Sequence, residues 1–187
     1  MTTASTQAFR IRDLVDTFWW IDRMTWLLRS TSNHFRRFWW LWTFAFFFLW
    51  TVSHFFWIGI NFTESLPWKV AIVKKWDHDV RRGDIVAFRW HGGGPYPAGL
   101  TFTKVVRGVP GDSISVQGRA FYVNGEMLAI AKERSRKGVP LELGPTGVLP
   151  PGRYFVWTPH VDSLDSRYAI GGWVDASAVI GKAIVVF

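Results

Sequence analysis

The chain is 187 residues long, 49% apolar and formally +8 at neutral pH, which suits one compact domain with an accessory segment. It has no cysteine, and that excludes a disulfide framework, a thiolate nucleophile and a zinc site built on cysteine. The positive balance points to an acidic partner, and anionic lipid and nucleic acid both satisfy it.

Aromatic residues crowd the first third of the chain, which has 13 Trp and 16 Phe in all. Residues 8–36 carry apolar side chains at helical spacing, Leu14, Phe18, Ile21 and Leu28, with Asp13, Asp16, Asp22 and Arg23 interleaved among Trp19, Trp20 and Trp26. The pattern predicts an amphipathic helix on the cytoplasmic face of a membrane, or one packed on a partner's helix. Residues 38–60, FWWLWTFAFFFLWTVSHFFWIGI, contain no Asp, Glu, Lys or Arg. A helix crosses a bilayer with about 20 apolar residues, so this run is expected to be a single transmembrane helix. It is too long and starts too late for a cleaved signal peptide, and no small-residue cleavage site follows it. Arg23, Arg29, Arg36 and Arg37 precede the run, and Lys69, Lys74 and Lys75 follow it. The positive-inside rule then favours a cytoplasmic N-terminus, because folded domains cross largely regardless of charge. Three parts are expected: a cytoplasmic segment 1–37, a span 38–60 and an extracytoplasmic domain 61–187.

Beyond residue 66 the pattern changes to short β-prone runs between Gly, Pro and Asn turns. KVAIV (69–73), GDIVAF (83–88), TFTKVV (101–106), SISVQ (113–117), AFYVN (120–124), RYFVW (153–157) and AVIGKAIVVF (178–187) all read as strands. The two runs at 113–124 read as a hairpin. No helical period competes, so the domain is expected to be mainly β. Residues 91–99 and 132–152 read as loops, the first of them flexible.

Ser65 follows the apolar run closely, and Pro67 limits helix continuation there, so its hydroxyl is expected at the membrane surface. Lys104 shares a strand face with Phe102 and Val106. A lysine on an apolar face either snorkels to water or is desolvated into a neutral amine that can serve as a base. The HGGG run at 91–94 lacks the G-x-S-x-G that would accompany a lipase oxyanion loop. The five histidines have no metal spacing; neither a metal nor another cofactor is expected.

Three runs, RRGDIVAF (81–88), KVVRGVPGD (104–112) and SLDSR (163–167), resemble three boxes of the type I signal peptidases and come in that family's order. The family's serine follows a transmembrane helix in a motif like S-x-P, matched here by Ser65, Leu66 and Pro67. Its lysine box, K-x-x-x-G-x-P-G-D, is matched by Lys104, Gly108, Pro110, Gly111 and Asp112. The resemblance spans roughly residues 60–187 and implies a signal-peptidase-like β-rich catalytic domain. In one box the chain departs from the family. Where the housekeeping enzymes carry G-D-x-R, this chain has Trp157, Thr158, Pro159 and His160. The short chain and the SLDSRY ending look more like the TraF-type peptidases of conjugative plasmids, which mature a pilin precursor and in some cases join its ends into a ring.

The resemblance implies acyl transfer, with Ser65 as nucleophile and Lys104 as general base. It implies an oxyanion hole from the Ser65 backbone N–H and the Thr63 hydroxyl. Ser163 matches the serine that orients the lysine, and Asp165 and Arg167 match a supporting ion pair. The implied setting is the bacterial inner membrane, with the catalytic domain in the periplasm. The expected partners are membrane lipid and a precursor carrying a signal peptide, a pilin foremost, and not nucleic acid. A general signal peptidase and an inactive scaffold of a secretion apparatus are the alternatives, and retention of both Ser65 and Lys104 argues against the scaffold.

Overall fold

A computed structural model describes the backbone of residues 11–60 and 70–186, and the side chains of 18–59 and 70–186. The described residues divide into two units, one up to Thr51 and the other from Val52 onward.

The first unit is helical. Helix α1 runs Ile11–Arg37 and α2 runs Trp39–Phe55. The Phe38 N–H bonds the His34 carbonyl and the Trp42 N–H bonds the Phe38 carbonyl, so helical bonding carries through the junction. The helix expected at 8–36 is α1. No residue of α2 is buried.

The single helix expected over 38–60 does not form. Helical structure ends at Phe55, and Phe56–Ile60 is a strand, β1. No helix among the described residues is long and apolar enough to cross a membrane. The physical reason lies in the partner strand. β1 pairs antiparallel with β2 (Val70–Lys74) over its whole length, from Phe56 opposite Lys74 to Ile60 opposite Val70. Lys75 closes the helix end: its backbone N–H takes the Phe55 carbonyl and its Nζ the Ser53 carbonyl. These carbonyls would otherwise be orphans of the last helical turn. An uncharged run of aromatic and β-branched residues fits helix and strand equally by composition, and the β2 edge decides for strand.

The second unit is built on antiparallel sheet. Its strands continue with β3 (Ile85–Arg89), β4 (Thr101–Gly108), β5 (Ser113–Gln117), β6 (Ala120–Val123), β7 (Glu126–Ile130), β8 (Gly147–Val148), β9 (Arg153–Trp157), β10 (Val174–Asp175) and β11 (Val179–Val185). Seven strands form one sheet in the order β1-β2-β11-β3-β4-β9-β10, and four form another in the order β7-β6-β5-β8. The expected mainly-β architecture and the 113–124 hairpin are both present, with Ile114 opposite Val123. β7, β8 and β10 are strands that residue pattern missed. β8 lies inside the stretch expected to be loop, because Gly147 and Val148 add to the edge of β5.

Two large apolar clusters pack this unit. Val86, Phe88, Trp90, Val106, Val156, Val174 and Val179 form one. Ile114, Phe121, Val123, Ala131, Leu149, Phe155 and Tyr168 form the other. Gly108 packs on the second cluster: a Cβ there would sit 2.7 Å from Leu149 Cδ1 and 3.0 Å from Phe155 Cβ. The 91–99 loop is tied down by backbone bonds between Gly93 and Tyr96 and between Gly99 and Trp90. Its glycines press on Ile170, whose Cδ1 a Cβ at Gly94 would approach to 2.8 Å.

Candidate active site

Strand β4 carries Lys104 into the centre of the large sheet. Its cross-strand partner on β3 is Val86, which is fully buried. On the same face Val106 is also fully buried, and Lys104 retains only 5% of its accessible surface. Of the two readings that the sequence leaves open, snorkelling is therefore excluded.

The amine is not left without a partner. Lys104 Nζ donates to Ser163 Oγ at 2.5 Å. Ser163 is itself buried, and its N–H bonds the His160 carbonyl, which holds it at the end of a short turn. Burial pulls the Lys104 pKa from 10.5 to about 8; Asp165 opposes that fall and Arg167 adds to it. Removing water from around a cation disfavours the charged form, so a usable fraction of the amine is neutral near physiological pH.

Asp165 and Arg167 close on one another. Arg167 Nε reaches Asp165 Oδ1 at 2.9 Å and Arg167 Nη2 reaches Oδ2 at 2.9 Å, both side chains being almost wholly buried. Arg167 Nη1 also donates to the Ile130 carbonyl at 3.0 Å, tying the pair to β7. Ser166 bonds β9 through both its N–H and its hydroxyl, at the Val156 carbonyl and N–H respectively. The run 163–167 is thus stitched to β9 on one side and to Lys104 on the other, each of its serine, aspartate, serine and arginine side chains having a partner.

The structure brings Lys104, Ser163, Asp165 and Arg167 together, all buried. Ser65 and Thr63 lie outside the described residues. Residue reasoning missed a second ion cluster beside the site. Asp162, immediately before Ser163, accepts from Lys132 Nζ at 2.5 Å and from Arg136 Nε at 2.7 Å. Those bonds hold its carboxyl down at about 2. The signal available in the sequence was the basic run KERSRK (132–137), in which four cations stand beside a single acid, Glu133. Among the described residues no three His, Asp or Glu side chains gather as a metal cluster.

Residues 32–187 match the family described as signal peptidase, peptidase S26. The chain belongs to that family. It is 30% identical to signal peptidase I U of Bacillus subtilis (strain 168) over 120 residues, covering 60% of this chain and 61% of that protein. It is 29% identical to signal peptidase I of Bacillus amyloliquefaciens over 118 residues, covering 58% of each. The chain thus spans about three-fifths of the length of these curated relatives. A crystal structure of a signal peptidase I from Enterococcus faecalis V583 aligns with 58% of this chain and 97% of its own, at 26% identity and a TM-score of 0.38. Membership in the signal peptidase family and the β-rich architecture agree with the resemblance carried by the three boxes.

Proposed function

We propose that this protein is a membrane-anchored signal peptidase that cleaves secreted precursors by serine–lysine acyl transfer. The observation that carries the reading is the amine of Lys104, buried on a core strand and lowered to about 8. A lysine costs stability in such a place, and a binding scaffold has no use for it.

In this reading neutral Lys104 takes the proton of Ser65 Oγ, which attacks the scissile carbonyl. The carbonyl carbon becomes tetrahedral, and its oxyanion is met by the Ser65 N–H and the Thr63 hydroxyl. Lys104 then returns the proton to the leaving amine, and water resolves the acyl-enzyme by the same route in reverse. Ser163 holds the lysine on target, and the Asp165–Arg167 pair braces the run that carries Ser163 against β7.

Membrane attachment is part of the proposal. Helix α2 is apolar all round and carries exposed Trp39, Trp42, Phe46 and Trp50. A helix of that kind needs an apolar surrounding, and lipid supplies one.

The names of the curated relatives support a general secretory clientele. The SLDSRY run supports a conjugative pilin, with cyclisation where an amine replaces water. The deciding test is Ser65→Ala and Lys104→Ala, each assayed on a signal-peptide precursor and on a pilin precursor in detergent. Both variants are expected to fold and to lose processing. Processing at near wild-type rate by either one refutes the mechanism, and preference between the two precursors assigns the clientele.

A further inference from the structure

The ladder between β4 and β9 joins Val106 to Val156 and Val105 to Trp157. β9 ends at Trp157, and the same register continued by one residue would set Thr158 opposite Lys104. Strand alternation puts Lys104, Val106 and Val156 on one face, where Val86, Val106 and Val156 make a closed core, and Thr158 follows two residues after Val156. Thr158 is fully buried, and its hydroxyl has no hydrogen-bond partner. A buried hydroxyl left unpaired costs about 1–3 kcal/mol, whereas valine would fill the same shape without that loss.

Lys104 gives the hydroxyl a use. A neutral amine is accounted for by its bond to Ser163 Oγ. An ammonium has three donors and no acceptor, so it needs further oxygens within the same dry pocket. The Asp165 carboxylate is occupied by Arg167, with the backbone N–H groups of Thr158 and Arg167 also directed at it. The Thr158 hydroxyl is the buried oxygen across the ladder that remains unused.

We propose that Thr158 is a positioning residue for the general base, its hydroxyl being the acceptor held in reserve for the Lys104 ammonium formed when the lysine takes the nucleophile's proton. The inference rests on the serine–lysine reading. The only covalent change is the proton's move from Ser65 Oγ to Lys104 Nζ; Thr158 accepts a hydrogen bond from Nζ and surrenders nothing. The charged groups that face Lys104 are Asp165, which favours the ammonium, and Arg167, which opposes it. Neither is altered by substitution at Thr158, because the contact of Thr158 with Asp165 is made by its backbone N–H.

The test compares Thr158→Val with Thr158→Ser in the full chain in detergent. Thr158→Val is expected to melt at or above the wild-type temperature and to keep its KM. Its kcat falls about tenfold, the worth of one hydrogen bond to a charged group, and the acidic limb of its pH–rate profile moves to lower pH. Thr158→Ser restores both. An unchanged kcat and limb in Thr158→Val, or equal losses in the two variants, overturns the proposal. If Thr158→Val fails to fold, Thr158→Ala takes its place against Thr158→Ser with the same criteria. NMR titration of Lys104 separates this inference from the reading beneath it. Retained processing in Lys104→Met sinks the serine–lysine mechanism, whereas a Lys104 ionisation that stays put without the Thr158 hydroxyl sinks the reserved acceptor alone.

Discussion

The lowered pKa of Lys104 makes a stability prediction that needs no substrate. In the folded chain the amine releases its proton near pH 8, whereas an unfolded lysine holds it to about 10.5. Between those values the unfolded state binds more protons than the folded one, so stability rises with pH across the window. Below pH 8 the full cost of burying the ammonium is present, and above 10.5 it is gone. One pKa unit is worth about 1.4 kcal/mol, which puts the whole cost at about 3 kcal/mol. Between pH 7 and pH 10 about 2.5 kcal/mol of it is relieved. Lys104→Met keeps the length of the side chain and removes the titration. The assay is urea unfolding of both proteins in detergent, followed by tryptophan fluorescence at pH 7, 8, 9 and 10. The difference between the two cancels every other titrating group. The wild type is expected to be the less stable at pH 7 and to gain on the variant by about 2.5 kcal/mol by pH 10. Parallel curves, or a wild type that loses ground as pH rises, refute a desolvated amine.

Three further outcomes follow from the packing. Arg167→Met leaves the Asp165 carboxylate buried without its cation and is expected to cost about 3–5 kcal/mol in urea unfolding, with part recovered when Asp165 is made leucine as well. Gly108→Ala drives a methyl against Leu149 and Phe155, where the gaps are 2.7 and 3.0 Å, and is expected to cost about 1–3 kcal/mol in the same measurement. Lys75→Met removes the side-chain bond to the Ser53 carbonyl and is expected to loosen the end of α2 by about 0.3–1 kcal/mol, read as faster amide exchange over residues 52–58 with the rest of the unit unchanged.

Much of this protein is legible in the residues alone, because strands and turns are local. The alternation in TFTKVV places Lys104 with Phe102 and Val106 whatever surrounds them, and the turns on either side of SISVQ and AFYVN leave a hairpin as the natural connection. The three boxes also carry the family, since spacing and order survive without coordinates. Other features depend on what lies across a ladder. An uncharged aromatic run cannot announce that its last five residues will leave the helix, because that choice belongs to the β2 edge and to Lys75. β8 and β10 are two residues each, too short to show a period, and exist only because β5 and β9 offer edges. The face of Lys104 followed from sequence, but its dryness did not. Val86 and Ser163 come from distant stretches, and only their convergence on Lys104 excludes water and turns an ordinary lysine into an amine that releases its proton near pH 8.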